Sequence, residues 1–99
     1  MEPETRNTTV PNLVHLADES QYRAELNGEI VGRINYRMNG RKVVITHTET
    51  ADHVRRTGIA RALTRFALDD VRLRGLSAVP QCAYTQRFLR DHPEYTDVI

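Results

Sequence analysis

The sequence predicts an α+β domain, with a tendency toward three α/β layers, in which an antiparallel β-meander is followed by a β-α-β-α crossover. Three observations predict it. Two Asn-Gly dipeptides, Asn27-Gly28 and Asn39-Gly40, each stand between segments of alternating apolar and polar residues, and Asn-Gly is the strongest short-range hairpin signal. After Gly58 the apolar period changes from two residues to that of a helix. Gly75, Pro80 and His92-Pro93 then punctuate one more short apolar run and one more helical stretch.

The elements follow in order. Residues 1–11 are polar and read as a flexible lead-in, leaving 12–99 as one domain. NLVHLA (12–17) reads as an edge strand or a short helix. QYRAELN (21–27) alternates Tyr22, Ala24 and Leu26 against polar neighbours, the period of a half-buried strand. EIVGRINYRM (29–38) aligns Ile30, Gly32, Ile34 and Tyr36 on one face. RKVVITHTE (41–49) has Val43 and Ile45 on one face and Val44 on the other, which suits a central strand covered on both sides. From 58 to 74, Ile59, Leu63, Phe66, Ala67 and Val71 recur at helical spacing, with Arg61, Arg65, Asp69 and Arg72 mainly opposite. Gly75 is placed to cap that helix. LSAVPQC (76–82) is a short buried strand ending at Pro80, and AYTQRFLRDH (83–92) is a shorter helix. His92-Pro93 closes it, because the residue before proline disfavours the α region. The step from the third meander strand through the helix to the next strand is a parallel crossover.

Composition bounds the function. Hydrophobic residues make up 39% and charged residues 27% of 99 residues, as in ordinary globular domains. A net charge of +1 argues against a general polyanion binder. Lys42 is the one lysine, so the basic side is arginine, which favours bidentate contacts to phosphate and carboxylate. Cys82 is the one cysteine, which excludes an intrachain disulfide and fits a reducing compartment. The polar N-terminus and the lack of any run near the roughly 20 apolar residues of a membrane span lead us to expect a cytoplasmic protein that binds no membrane.

The stretch HVRRTGIARAL (53–63) sets positive charge at the start of a helix. The helix macrodipole already makes that end positive, so the arginines point to an anionic ligand. The first N–H groups of a helix lack internal partners, and Gly58 lets the backbone come close to phosphate oxygens. Arg55 and Arg56 would bind the same oxygens from the side. Neither a P-loop nor a GxGxxG fingerprint is present.

These residues carry a resemblance. Arg55-Arg56-Thr57-Gly58-Ile59-Ala60 resembles the R/Q-x-x-G-x-G/A signature of the GNAT superfamily of acetyl-CoA-dependent N-acetyltransferases. The chain is most similar to the minimal YjdJ-type group, in which His-Thr-Glu ends the strand before the signature, as His47-Thr48-Glu49 does here. That group also carries Pro-x-Cys-Pro-Tyr and His-Pro-Glu-Tyr segments, matched here by Pro80-Gln81-Cys82-Ala83-Tyr84 and His92-Pro93-Glu94-Tyr95. Ala83 replaces the group's usual proline, and Thr50 replaces its usual aliphatic residue. The resemblance implies a small GNAT-like fold in which residues 55–60 cradle the pyrophosphate of coenzyme A, with Arg61 assisting. It further implies that the backbone near Glu49 and Thr50 runs beside the pantetheine arm, toward a thioester lying where the third and fourth strands splay apart.

Acetyl transfer from a thioester to an amine needs a neutral amine, a stabilised carbonyl oxygen and a protonated leaving thiolate. His47 is the candidate base, on a strand face expected to include Val43, Ile45 and Glu49. Cys82 is the candidate nucleophile: it precedes the last helix, whose dipole favours the thiolate, and an acetyl-enzyme would give ping-pong kinetics. Tyr84 is the candidate proton donor to the leaving thiolate. Phe88 and Tyr95 read as core or pocket wall, His53 as a solvated loop residue, and His15 and His92 carry no signal. No metal-ligand spacing is present.

Two other functions stay open. One is a non-catalytic acyl-CoA-binding or sensing module. The other is a nucleic-acid binder using Arg55, Arg56, Arg61, Arg65 and Arg72, which the near-zero charge and sparse aromatics oppose. The expected partners are therefore a coenzyme A thioester and an amine acceptor, which the sequence leaves open among polyamine, amino sugar, amino acid and protein lysine. The expected state is a monomer or weak dimer.

Overall fold

The computed structural model describes residues 10–99, so most of the expected lead-in, residues 1–9, lies outside the described residues. Five strands form one mixed sheet in the order β1-β2-β3-β4-β5. They are β1 (Asn12–Leu16), β2 (Gln21–Leu26), β3 (Glu29–Asn39), β4 (Lys42–Thr50) and β5 (Ser77–Pro80). The first four run antiparallel, and β5 lies parallel to β4. Helix α1 (Ile59–Leu73) makes the crossover, and α2 (Ala83–Asp91) follows β5. The α+β meander and crossover therefore stand as the sequence predicts, and residues 12–16 are the edge strand rather than a helix.

The turns show why. Asn27 and Gly28 both hold positive φ, at +52° and +82°, as a two-residue type I′ hairpin requires. At the second hairpin Asn39 pairs with Lys42, so the loop is Gly40-Arg41, with Gly40 at φ +61° in the first central position. Helix α1 ends on Gly75 at φ +68°: the N–H of Leu76 reaches the Val71 carbonyl and that of Gly75 the Arg72 carbonyl, each at 3.0 Å. Those two bonds make a Schellman cap.

One face of the sheet meets the helices. Tyr22, Ala24, Ile34, Tyr36, Val43, Ile45 and Ala78 bury there against Ile59, Leu63, Ala67, Leu68 and Val71 of α1. Phe66 of the expected stripe is only half-buried, and Leu68 takes the deeper position. Gly32 permits close approach: a Cβ there would sit 3.4 Å from Leu63 Cδ2 and 3.5 Å from Ile59 Cγ2. Phe88 and Tyr95 join the same core, as expected. Tyr95 belongs to a 3-10 segment, Pro93–Val98, that the sequence reading did not anticipate. Val44, on the far face, is 3% exposed.

Two β-bulges change what faces where. Ala24 pairs with Gly32 but Glu25 with Ile30, so Val31 is an extra residue on β3; it enters the core, and Ile30 leaves the face expected for it. Asn35 pairs with His47 but Tyr36 with Ile45, so Thr46 is an extra residue on β4. A one-residue insertion flips every later side chain to the other face. Val43 and Ile45 point toward α1, whereas His47 and Glu49 point away from it. The single face expected for these four residues is thus corrected.

Candidate active site

β4 and β5 pair only from Lys42–Ser77 to Ile45–Pro80, and the Gln81 N–H makes the last bond, 2.9 Å to the Ile45 carbonyl. Beyond that point β4 continues to Thr50 along β3 alone, and its other edge is left open. The α1 signature loop and the start of α2 border this gap.

The loop is built by local bonds. The Ala51 N–H donates to the Val31 carbonyl at 2.9 Å, and a 3-10 turn (Asp52–Val54) buries Val54. Both the N–H and the hydroxyl of Thr57 donate to the Val54 carbonyl, so Thr57 shapes the turn. Arg56 takes φ +67° and Gly58 φ +87°. Left-handed backbone costs a non-glycine residue about 1–2 kcal/mol, a strain typical of functional turns. The N-cap Gly58 offers no side-chain cap, and no acidic residue occupies the first turn. Ala62 makes the first helical bond, to the Gly58 carbonyl at 2.9 Å. The N–H groups of Ile59, Ala60 and Arg61 precede it and point out of the helix end.

Two clefts meet there. One, of 240 Å³, is lined by Thr50, Val54, Arg55, Arg56, Gly58, Ile59, Ala60, Arg61 and Tyr84. The other, of 680 Å³, follows the open edge of β4 past His47, Thr48, Glu49 and Arg87. They share Thr50, Arg55, Arg56, Ala60 and Tyr84, so they form one groove. His53 lies outside both and pairs with Glu29 at 3.3 Å, a surface contact as expected.

Cys82 is the N-cap of α2 and a free, partly buried thiol. Burial works against its thiolate. The Thr85 N–H, the Thr48 hydroxyl, the Tyr84 N–H and the Thr85 hydroxyl outweigh that burial, and the thiol lies below the ordinary cysteine value. The Thr48 and Thr85 hydroxyls are buried without a hydrogen-bond partner, and both lie among the groups that favour the Cys82 thiolate. His47 is not among the groups around Cys82. Its imidazole is 56% exposed on the far face, where Nε2 lies 3.1 Å from Glu49 Oε1. Glu49 Oε2 also accepts from Arg33 Nη1 at 3.1 Å. Hydrogen bonds from His47 and Arg33 hold the Glu49 carboxyl below its usual range.

Burial raises the Tyr84 phenol, against the Thr64 hydroxyl and the Arg61 and Arg87 guanidiniums, so it stays protonated near neutral pH. The Arg87 guanidinium lies 5.9 Å from the Tyr84 ring centroid. The structure thus brings His47, Glu49, Thr50, Arg55, Arg56, Gly58, Ile59, Ala60, Arg61 and Tyr84 along one groove, whereas Cys82 lines neither cleft and meets the groove through Thr48 and Tyr84. Sequence reasoning missed Arg33, Thr48, Thr85 and Arg87. Arg87 was within reach, standing one helical turn after Tyr84.

Comparison with known proteins decides the family. The sequence profile of a family described as GCN5-related N-acetyl-transferase matches residues 21–98. The chain belongs to the GCN5-related N-acetyltransferase family. This GCN5-related chain is 36% identical over 75 residues to bovine (Bos taurus) protein NATD1, covering 74% of the chain and 66% of the bovine protein. Against NATD1 of Mus musculus it is 33% identical over 81 residues, covering 80% and 74%. Its fold resembles the solution structure of a GCN5-like putative N-acetyltransferase from Staphylococcus aureus, with TM-score 0.71, 19% identity and coverage of 88% and 85%. It also resembles the ribosomal-protein-S18-alanine N-acetyltransferase of Escherichia coli, with TM-score 0.63, 14% identity and coverage of 72% and 49%. Acetyl-CoA is the cosubstrate of this family. Among the described residues no helix is long and apolar enough to cross a membrane.

Proposed function

We propose that this chain moves an acetyl group from acetyl-CoA to Cys82 and from there to an amine. The observation that carries the reading is the single groove from the uncapped start of α1 to the open edge of β4, two of whose wall residues, Thr48 and Tyr84, also reach the Cys82 thiol. At one end, the N–H groups of Ile59, Ala60 and Arg61 and the guanidiniums of Arg55, Arg56 and Arg61 form a cradle of phosphate size and sign. Thr57 supports that cradle through the turn it ties. The Glu49–Thr50 backbone, at the unpaired edge, offers hydrogen bonds to an extended amide-bearing arm.

At the other end, the Cys82 thiolate attacks the thioester carbonyl. The carbon–sulfur bond to coenzyme A breaks as the bond to Cys82 forms, and Tyr84 gives the departing sulfur its proton and regains one from water. His47 takes the proton of an amine arriving from the far face of the sheet, and amide formation returns Cys82 to thiolate. A free thiol of this kind suits a reducing compartment such as the cytoplasm.

The test is intact-protein mass spectrometry after mixing with acetyl-CoA alone. One acetyl group on the wild type and none on Cys82→Ala supports the reading. Saturable acetyl-CoA binding with no acetyl-enzyme and no amine acetylation leaves the binding or sensing module instead.

A further inference from the structure

The face of the sheet turned away from α1 carries its own chemistry. Pairing puts Arg33, Asn35 and Arg37 of β3 on that face with Val44, His47 and Glu49 of β4. Glu49 is clamped between Arg33 and His47, each 3.1 Å from one carboxylate oxygen. An ammonium group arriving there meets a fixed negative charge and an imidazole together.

Arg37 stands differently. Its Nη1 donates to Gln81 Oε1 at 3.5 Å, and among the described residues it joins no ion pair. Gln81 is bonded to the Ile45 carbonyl at the last rung between β4 and β5, and it immediately precedes Cys82. The guanidinium therefore reaches the residue that precedes Cys82 in the chain, and among the described residues Gln81 is its one side-chain hydrogen-bond partner. His47 faces Asn35, two residues from Arg37 on β3, so the two rows lie about 7 Å apart.

We propose that the acceptor is a small amine that also carries a carboxylate, a few carbons away. Arg37 holds the carboxylate, and His47 with Glu49 receives the amine. The inference rests on the acyl-transfer reading above. In the second half-reaction the ammonium first loses one proton to solvent; the neutral nitrogen then forms its bond to the acetyl carbon and gives a second proton to His47. The bond to the Cys82 sulfur breaks, and its electron pair returns to the thiolate. Arg33 is a positioning residue that fixes Glu49.

Three amines of equal length separate the alternatives: γ-aminobutyrate, its primary amide, and the diamine putrescine. Steady-state kcat/KM is measured with each, and acetyl-Cys82 is followed by mass in the same samples. The amino acid should exceed the amide by about tenfold, matching one charge-assisted contact, and putrescine should be poorest. Arg37→Gln should erase that order, and Arg37→Lys should restore part of it. If acetyl-Cys82 forms but the amide or putrescine matches the amino acid, the acceptor assignment is wrong. It is equally wrong if Arg37→Gln keeps the preference. If acetyl-Cys82 never forms, the acyl-transfer reading itself fails, and this inference falls with it.

Discussion

Arg56 lets conformation and charge be separated by two substitutions at one site. Its φ of +67° carries the left-handed penalty, about 1–2 kcal/mol for a residue with a Cβ. Arg56→Ala keeps that penalty and removes the guanidinium. Arg56→Gly removes both, against roughly 0.5–1 kcal/mol of added unfolded-chain entropy. The glycine variant should therefore be about 1 kcal/mol more stable than the alanine variant, a rise in Tm of about 5 °C for a domain of this size. Acetyl-CoA affinity should move the other way relative to the wild type. A charge-assisted hydrogen bond contributes about 1.5–3 kcal/mol, and solvent exposure puts Arg56 at the low end, so both variants should bind about tenfold more weakly. Thermal melts and calorimetric titration of all three proteins read both quantities. Equal stability of the two variants would refute the strained turn, and wild-type affinity in both would refute the phosphate contact.

Four other outcomes follow from the same structure. Tyr22→Phe removes a 2.6 Å bond to Asp70 from a buried phenol and should cost about 1–2 kcal/mol in denaturant unfolding. Gly32→Val overfills the α1 contact and should cost about 1–3 kcal/mol, whereas Gly32→Ala, whose Cβ meets Leu63 at 3.4 Å, should cost less. Burial lowers the pKa of His15 below its ordinary 6.5, with Asp70 opposing and Arg74 assisting. The unfolded chain then binds that proton first, so stability should fall as pH drops through 6.5, and His15→Gln should flatten that part of the stability–pH curve. The Arg72 hydrogen bond depresses Asp97, so its contribution is present above pH 3.8 and lost as pH falls through the lower folded value. Asp97→Asn should abolish that acid-side loss.

Much of this fold was legible because its signals are local. Gly28, Gly40 and Gly75 each hold a positive φ where a turn or cap requires it, and the period change after Gly58 marks the crossover helix. The signature loop was legible for the same reason: charge, glycine and helix start are adjacent in sequence. The bulges at Val31 and Thr46 were not. A single inserted residue leaves the apolar pattern almost intact while reversing every face after it, and that reversal parts His47 from Val43 and Ile45. Thr48 and Thr85 were hidden too. Their hydroxyls gain meaning only when β4 and α2 converge on one sulfur. The 3-10 segment Pro93–Val98 escaped notice because its buried Tyr95 and Val98 follow no helical or strand period.

The most direct test of the central claim is a backbone amide NMR titration with acetyl-CoA. The account predicts one saturable site, with the largest shifts at the amides of Ile59, Ala60 and Arg61 and accompanying shifts at Thr50 and Tyr84. Saturation with those five amides unmoved, or no saturation at all by a folded protein, would contradict it.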